Sequence, residues 1–215
     1  MKITAIVHAR MSSRRLPGKT LKPILGKPLI QYLLERMNFC QEIDDWILAT
    51  SVDGSDDPVE AFAKEAGFPC FRGPLDDVAL RVLQAADQTQ TDAVVRLSGD
   101  SPFLDQTVID DGARLYREGK RDLITNVKPR TFPPGCSVEV LGVKMLRERW
   151  ESIPEAEREH VTSHLYQDPS LTVDTAEEFE QAERILQAMT RPHTEYSIDE
   201  VVVLGRSLPT TTSNP

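Results

Sequence analysis

The sequence predicts an α/β fold built on a mostly parallel, doubly wound sheet. Three observations carry this: short apolar runs recur along the chain, stretches with helical spacing of apolar residues separate them, and a basic loop opens directly from the first run. Lys2–Val7 is the first such run, suited to a buried strand. Trp46–Thr50, Cys70–Arg72, Ala93–Leu97 and Leu123–Asn126 read as further strands. Between them Leu29–Asn38, Val59–Ala66, Val78–Thr89 and Val108–Glu118 carry helical periodicity. Ser137–Leu141 alternates and reads as an additional strand, Glu155–Tyr166 and Ala176–Met189 read as helices, and Ser197–Glu200 has a capping-box pattern opening a last helix. One domain over residues 1–206 is expected, followed by a polar, frayed tail over 207–215.

Of 215 residues, 25 are basic and 34 acidic, which gives a net charge of −9 and argues against a general nucleic-acid binder. No long apolar span is present, so the chain reads as cytoplasmic and without a membrane segment. Cys40, Cys70 and Cys136 are widely separated and odd in number, which suits buried free thiols better than a disulfide framework or a zinc site.

The average charge hides an asymmetry. Up to Phe39 there are eight basic residues against the single acid Glu35. A solvated basic face is the ordinary meaning of such clustering. Here, however, the charge falls on HARMSSRRLPGK, residues 8–19, at the carboxyl end of the first strand. Ligands sit at that end in open α/β sheets, and Pro17-Gly18 favours a turn that lets backbone and Lys19 approach an anion.

The second chemical feature is LSGDSPFLD, residues 97–105, with Asp100 just past the central strand. Magnesium binds through one or two carboxylates plus substrate phosphates, so an acid opposite a basic loop makes chemical sense. The alternative is a turn or helix cap, since Asp, Ser, Pro and Gly favour turns for conformational reasons alone. The same alternative covers Asp174 in LTVDTAEEFE, a good helix N-cap.

Read together, ARMSSRRLPGK (9–19), GKPLIQYLLER (26–36), RGPLDDV (72–78), VRLSGDSPFLD (95–105) and EREHVT (157–162) resemble the SpsF-type, spore-coat polysaccharide branch of the cytidylyltransferases. That branch is similar to the acylneuraminate and 3-deoxy-manno-octulosonate cytidylyltransferases. The resemblance implies a Rossmann-like GT-A (nucleotide-diphospho-sugar transferase) fold, with a nucleotide-binding half over about 1–105 and a sugar-binding half over about 106–206. It implies transfer of CMP from CTP to an acidic sugar, with release of pyrophosphate, for surface polysaccharide or glycan synthesis. Arg10, Arg14, Arg15 and Lys19 would hold the phosphates, and Asp100 and Asp174 would coordinate Mg2+. Ala9, Arg72, Asp77 and Ser98 are candidates near the nucleotide, although Asp77 equally suits a helix cap paired with Arg72. Asn126, Glu139, Arg158 and His160 are candidates for the sugar, where Arg158 and His160 equally suit an exposed charged helix face. His8, His164 and His193 read as structural. Related enzymes often form homodimers, and the Ser137–Leu141 segment suits either an interface or the sugar site.

Three departures from the family pattern stand out. Gln106 replaces a frequent proline, Cys136 sits where glycine-leucine-aspartate is usual before VEV, and the link between Tyr166 and Asp174 is short. Two rivals follow: a GT-A glycosyltransferase using a nucleotide sugar, and a catalytically weak nucleotide-binding subunit of a polysaccharide pathway. A glycosyltransferase would not need the basic triphosphate loop, and retention of Arg10, Lys19 and Asp100 weighs against the weak subunit.

Overall fold

The computed structural model describes residues 1–13, 16–151, 184–192, 203–205 and 207–208. Arg14, Arg15, Arg158, His160 and Asp174 lie outside the described residues, as do the expected helices over 155–166 and from 197 and most of that over 176–189. The chain divides into two compact units, Met1–Val161 and Thr162–Pro215. In the second, 184–188 and 203–205 are helical.

The first unit alternates strand and helix as expected. β1 (Ile3–His8) leads through the basic loop to a hairpin of β2 (Pro23–Ile24) and β3 (Lys27–Pro28), then α1 (Leu29–Met37), β4 (Asp45–Ser51), α2 (Asp57–Ala66) and β5 (Cys70–Gly73). α3 (Val78–Thr89), β6 (Ala93–Ser98), α4 (Gln106–Arg117), β7 (Leu123–Thr125), β8 (Glu139–Gly142) and α5 (Val143–Trp150) follow. The strand order is β5-β4-β1-β6-β8-β7. β5, β4, β1 and β6 are parallel, while β8 runs antiparallel to both β6 and β7.

Side-chain alternation divides each strand between two faces. Ile3, Ala5 and Val7 of β1, with Val95 and Leu97 of β6, pack on Ile30, Leu33 and Leu34 of α1 and Ile109 and Ala113 of α4. Gly112 makes this packing close, because a Cβ there would lie 3.0 Å from Val138 and 3.2 Å from Val140. α3 contributes Val78, Ala79, Val82, Leu83 and Ala86 to the core and meets β1, β4, β5 and α5.

The helix starts follow local chemistry. Asp77 caps α3, accepting from the Leu80 amide at 2.8 Å, and Asp105 caps α4, accepting from Thr107 at 2.8 Å. α2 starts two residues before its first apolar position, with proline in its first turn, and ends at Gly67 in the left-handed region (φ 74°). The hairpin escaped the periodicity because each strand has two residues. Its turn needs positive φ at both Leu25 (50°) and Gly26 (81°).

The Ser137–Leu141 expectation is met in part. The strand runs Glu139–Gly142, all four residues are buried, and it lies inside the sheet between β6 and β7. The three cysteines are free but half-buried, and burial pushes the Cys40 thiol up to about 12 and the Cys70 thiol up to about 11. Among the described residues no helix is long and apolar enough to cross a membrane.

Candidate active site

The site grows from the carboxyl ends of β1 and β6. After His8 the chain leaves the sheet, with the Ala9 amide donating to Ala49 O at 3.1 Å and the Ala9 side chain buried. The neck of the basic loop is closed by the Gly18 amide, which donates to Met11 O at 2.9 Å, and by Thr20 Oγ1, which donates to Arg10 O at 2.9 Å. Gly18 adopts φ 71°, where a side chain would strain the backbone.

One buried acid holds this loop to the sheet. Asp56 is 0% exposed and accepts from the Met11 amide at 2.6 Å, from the Ser51 amide at 3.2 Å and from the Ser51 hydroxyl. A buried carboxylate is tolerable only with such a full complement of donors.

At β6, Gly99 carries the chain against β1. Its amide donates to His8 O at 2.7 Å, and a Cβ would sit 2.7 Å from that same oxygen, so only glycine fits. Asp100 follows at once. Its Oδ1 accepts from Ser98 Oγ at 2.7 Å, and its Oδ2 pairs with Lys19 Nζ. Burial opposes ionisation of Asp100, but hydrogen bonds from Lys19 and Ser98 and the Lys19 charge outweigh it and hold the carboxyl below its ordinary range. The carboxylate is 38% exposed and stays ionised, which fits one-carboxylate binding of Mg2+ shared with substrate phosphates. Among the described residues no cluster of three or more His, Cys, Asp or Glu side chains could hold a metal by itself.

Lys19, Ser98 and Asp100 are thus brought together, with Ala9 at the base of the same loop. Other expected residues have partners of their own in the structure. Arg72 donates to Ser51 O at 2.8 Å and Asp53 O at 3.0 Å and pairs with Asp57 at 2.7 Å and Glu60 at 2.8 Å. Its guanidinium binds the sheet edge to α2. Asp77 is a helix cap that also accepts the Trp150 indole N–H at 3.0 Å, joining α3 to α5. Asn126 donates to Cys136 O at 2.7 Å and accepts from the Val138 amide at 2.9 Å, so its side chain clamps the loop between β7 and β8. Glu139, 4% exposed, pairs with Arg96 of β6.

The sequence reasoning missed Asp56, Arg81 and Arg96. Arg81 had a visible signal, since it interrupts the apolar stripe of α3. It is 2% exposed and donates to Pro74 O at 2.6 Å. Burial, and then the charge of Arg10, pull its pKa down to about 10.

His8, read as structural, has both ring nitrogens buried without a partner among the described residues. Burial, followed by the charges of Arg96 and Arg81, pushes its pKa well below the ordinary value, so the folded protein holds a neutral imidazole. The unfolded chain takes up a proton below about pH 6.5 that the native state refuses. His8 therefore costs stability as pH falls through that value, with a slope approaching about 1.4 kcal/mol per pH unit. His8→Gln should flatten urea-melt stability between roughly pH 6.5 and 5 relative to wild type. Parallel curves would mean that the native state does protonate His8.

The chain matches the family described as Cytidylyltransferase over residues 4–199. It is 28% identical to the spore coat polysaccharide biosynthesis protein SpsF of Bacillus subtilis, covering 94% of this chain and 93% of that protein. It is 35% identical to the 8-amino-3,8-dideoxy-manno-octulosonate cytidylyltransferase of Shewanella frigidimarina, over 54% of this chain and 48% of that enzyme. The solved structure of a cytidylyltransferase from Leptospira borgpetersenii superposes with TM-score 0.73 at 29% identity, covering 96% of this chain and 94% of that one. With the matched region running from β1 past α5, and the basic loop and the strand-end acid meeting in one site, the chain belongs to the cytidylyltransferase family.

Proposed function

We propose that this enzyme transfers CMP from CTP to a carboxylate-bearing sugar, releases pyrophosphate, and thereby feeds polysaccharide or glycan synthesis. CTP-dependent nucleotidyl transfer follows from the family. The acceptor class is drawn from relatives such as the Shewanella enzyme and SpsF. The observation that carries the reading is the meeting of Lys19, from the loop that follows β1, with Asp100 just past the end of β6.

In this reading Arg10, Arg14, Arg15 and Lys19 neutralise the charge that develops on the pyrophosphate leaving group. Asp100, joined by Asp174, holds Mg2+, which when bound polarises the α-phosphoryl group. Lys19, paired with Asp100 in the free protein, turns to the phosphates when CTP arrives. Gly99 and Asp56 fix the two loop ends, so positioning supplies much of the rate. Arg158 and His160 complete the reading on the sugar side. The enzyme works in the cytoplasm, and a homodimer is its assembly.

Thermal melts with CTP, UTP, GTP, ATP and nucleotide sugars, each with Mg2+ or with chelator, test this. At a hundredfold excess over Kd, CTP should stabilise by about 2.7 kcal/mol and raise Tm by roughly 5–10 °C, selectively and only with Mg2+. A preference for an intact nucleotide sugar would point to glycosyl transfer instead. No response to any nucleotide would sink the reading.

A further inference from the structure

Arg96 and Glu139 form an ion pair that the nucleotide half of the site does not use. β6 and β1 pair with Arg96 beside Ile6 and Ser98 beside His8, and β8 sets Glu139 opposite Arg96. Residues paired across a sheet share a face, so Arg96, Ser98, His8 and Glu139 point to the same side. Arg96 lies one pleat below Ser98, about 7 Å down the strand that leads to Asp100.

The two flanks of β6 are unequal. The basic loop is tied to the β1–β4 flank, through the Ala9 amide on Ala49 O and the Met11 amide on Asp56. Lys19, at the far end of that loop, pairs with Asp100 just past β6. β8 lies on the other side of β6. In-line displacement at phosphorus brings the nucleophile in opposite the departing pyrophosphate. If the phosphates lie over β1 and β4, the acceptor enters over β6 and β8, where Arg96 stands.

Arg96 is suited to meet an anion there. A guanidinium offers five N–H donors in a planar fork matched to a carboxylate. One of these, on Nη1, is taken by Glu139. Nε is buried and has no partner among the described residues, while the side chain as a whole is 29% exposed. Glu139 is only 4% exposed, too deep to meet a ligand itself but well placed to fix the guanidinium. Arg81 lies within electrostatic reach of both Arg96 and Arg10.

From this geometry we infer that Arg96 binds the carboxylate of the acceptor and that Glu139 is its positioning residue. The inference rests on the cytidyl-transfer reading and assigns the group that recognises the acid. Steady-state kinetics with CTP and Mg2+ test it, using 2-keto-3-deoxy sugar acids, hexuronates, their carboxamides and neutral hexoses as acceptors. For the best acid, Arg96→Gln and Arg96→Lys should raise the acceptor KM by at least about tenfold and leave the CTP KM within about twofold. Wild type should use the acid far better than its carboxamide, and that preference should vanish in Arg96→Gln. Glu139→Gln, which keeps the guanidinium but frees it, should raise the acceptor KM to a smaller extent, and it serves if the Arg96 variants do not fold. A rise in the CTP KM instead would make Arg96 a phosphate ligand and overturn the inference. So would an unchanged acceptor KM, or a preference for acid over carboxamide that survives in Arg96→Gln. A wild type that is stabilised by CTP yet uses no sugar acid overturns it as well, without disturbing the CTP reading, whereas absence of any CTP response removes the reading itself.

Discussion

Asp100→Asn is expected to lower kcat by roughly 10²–10³-fold or more while leaving the fold intact. The substitution keeps the shape of the side chain and an oxygen to accept from Ser98 Oγ, which sits 2.7 Å away. What it removes is the charge that faces Lys19 and would meet the metal and the phosphates. Lys19 is 25% exposed, so water can take up its ammonium, and the stability change should stay within about 1 kcal/mol. Pyrophosphate release and a thermal melt on the same preparation check both halves. Turnover within tenfold of wild type would take Asp100 out of the chemistry, and a large fall in Tm would recast it as a structural acid.

The second large effect is expected at Asp56. Asp56→Ala strands the buried Ser51 amide and the part-buried Met11 amide. Each unsatisfied buried donor costs about 1–3 kcal/mol, so a loss of about 2–4 kcal/mol and a Tm lower by roughly 5–15 °C are expected. Because Met11 lies in the basic loop, the CTP KM should rise more than the acceptor KM. Asp56→Asn, which can still accept one amide, should fall between the two. A Tm within 2 °C of wild type together with an unchanged CTP KM would show that the loop is held by other means.

These two acids also show how far the sequence could be read. Asp100 stood out because a chemical partner, the basic loop, was visible elsewhere in the chain. Asp56 did not, since it shares a turn with Asp53 and Asp57, and only tertiary packing selects which of the three is buried. α3 was legible to the residue because a cap and a regular apolar stripe agree at Val78–Thr89. The direction of β8 was not, because alternation over a few residues is the same read either way. α5 was also missed, as Val143, Leu146 and Trp150 make too thin a stripe among charged neighbours. Arg72 and Asp77 came with a motif that suggested ligand contact, yet the observed partners of Arg72 belong to the sheet edge and α2, and those of Asp77 to α3 and α5.

The contact between Trp150 and Asp77 gives the protein an optical reporter of its own. Only two tryptophans occur in the chain. Trp46 is stacked obliquely on Phe68 with ring centroids 5.5 Å apart, far along the sheet from the acceptor flank, whereas the Trp150 indole N–H points at a carboxylate that caps α3. A charge at that end of an indole shifts its emission, so Trp46→Phe would leave a single fluorophore whose colour tracks the docking of α5 on the helix that carries Arg81. Ligand titrations could then be followed by light alone, without a label and without turnover.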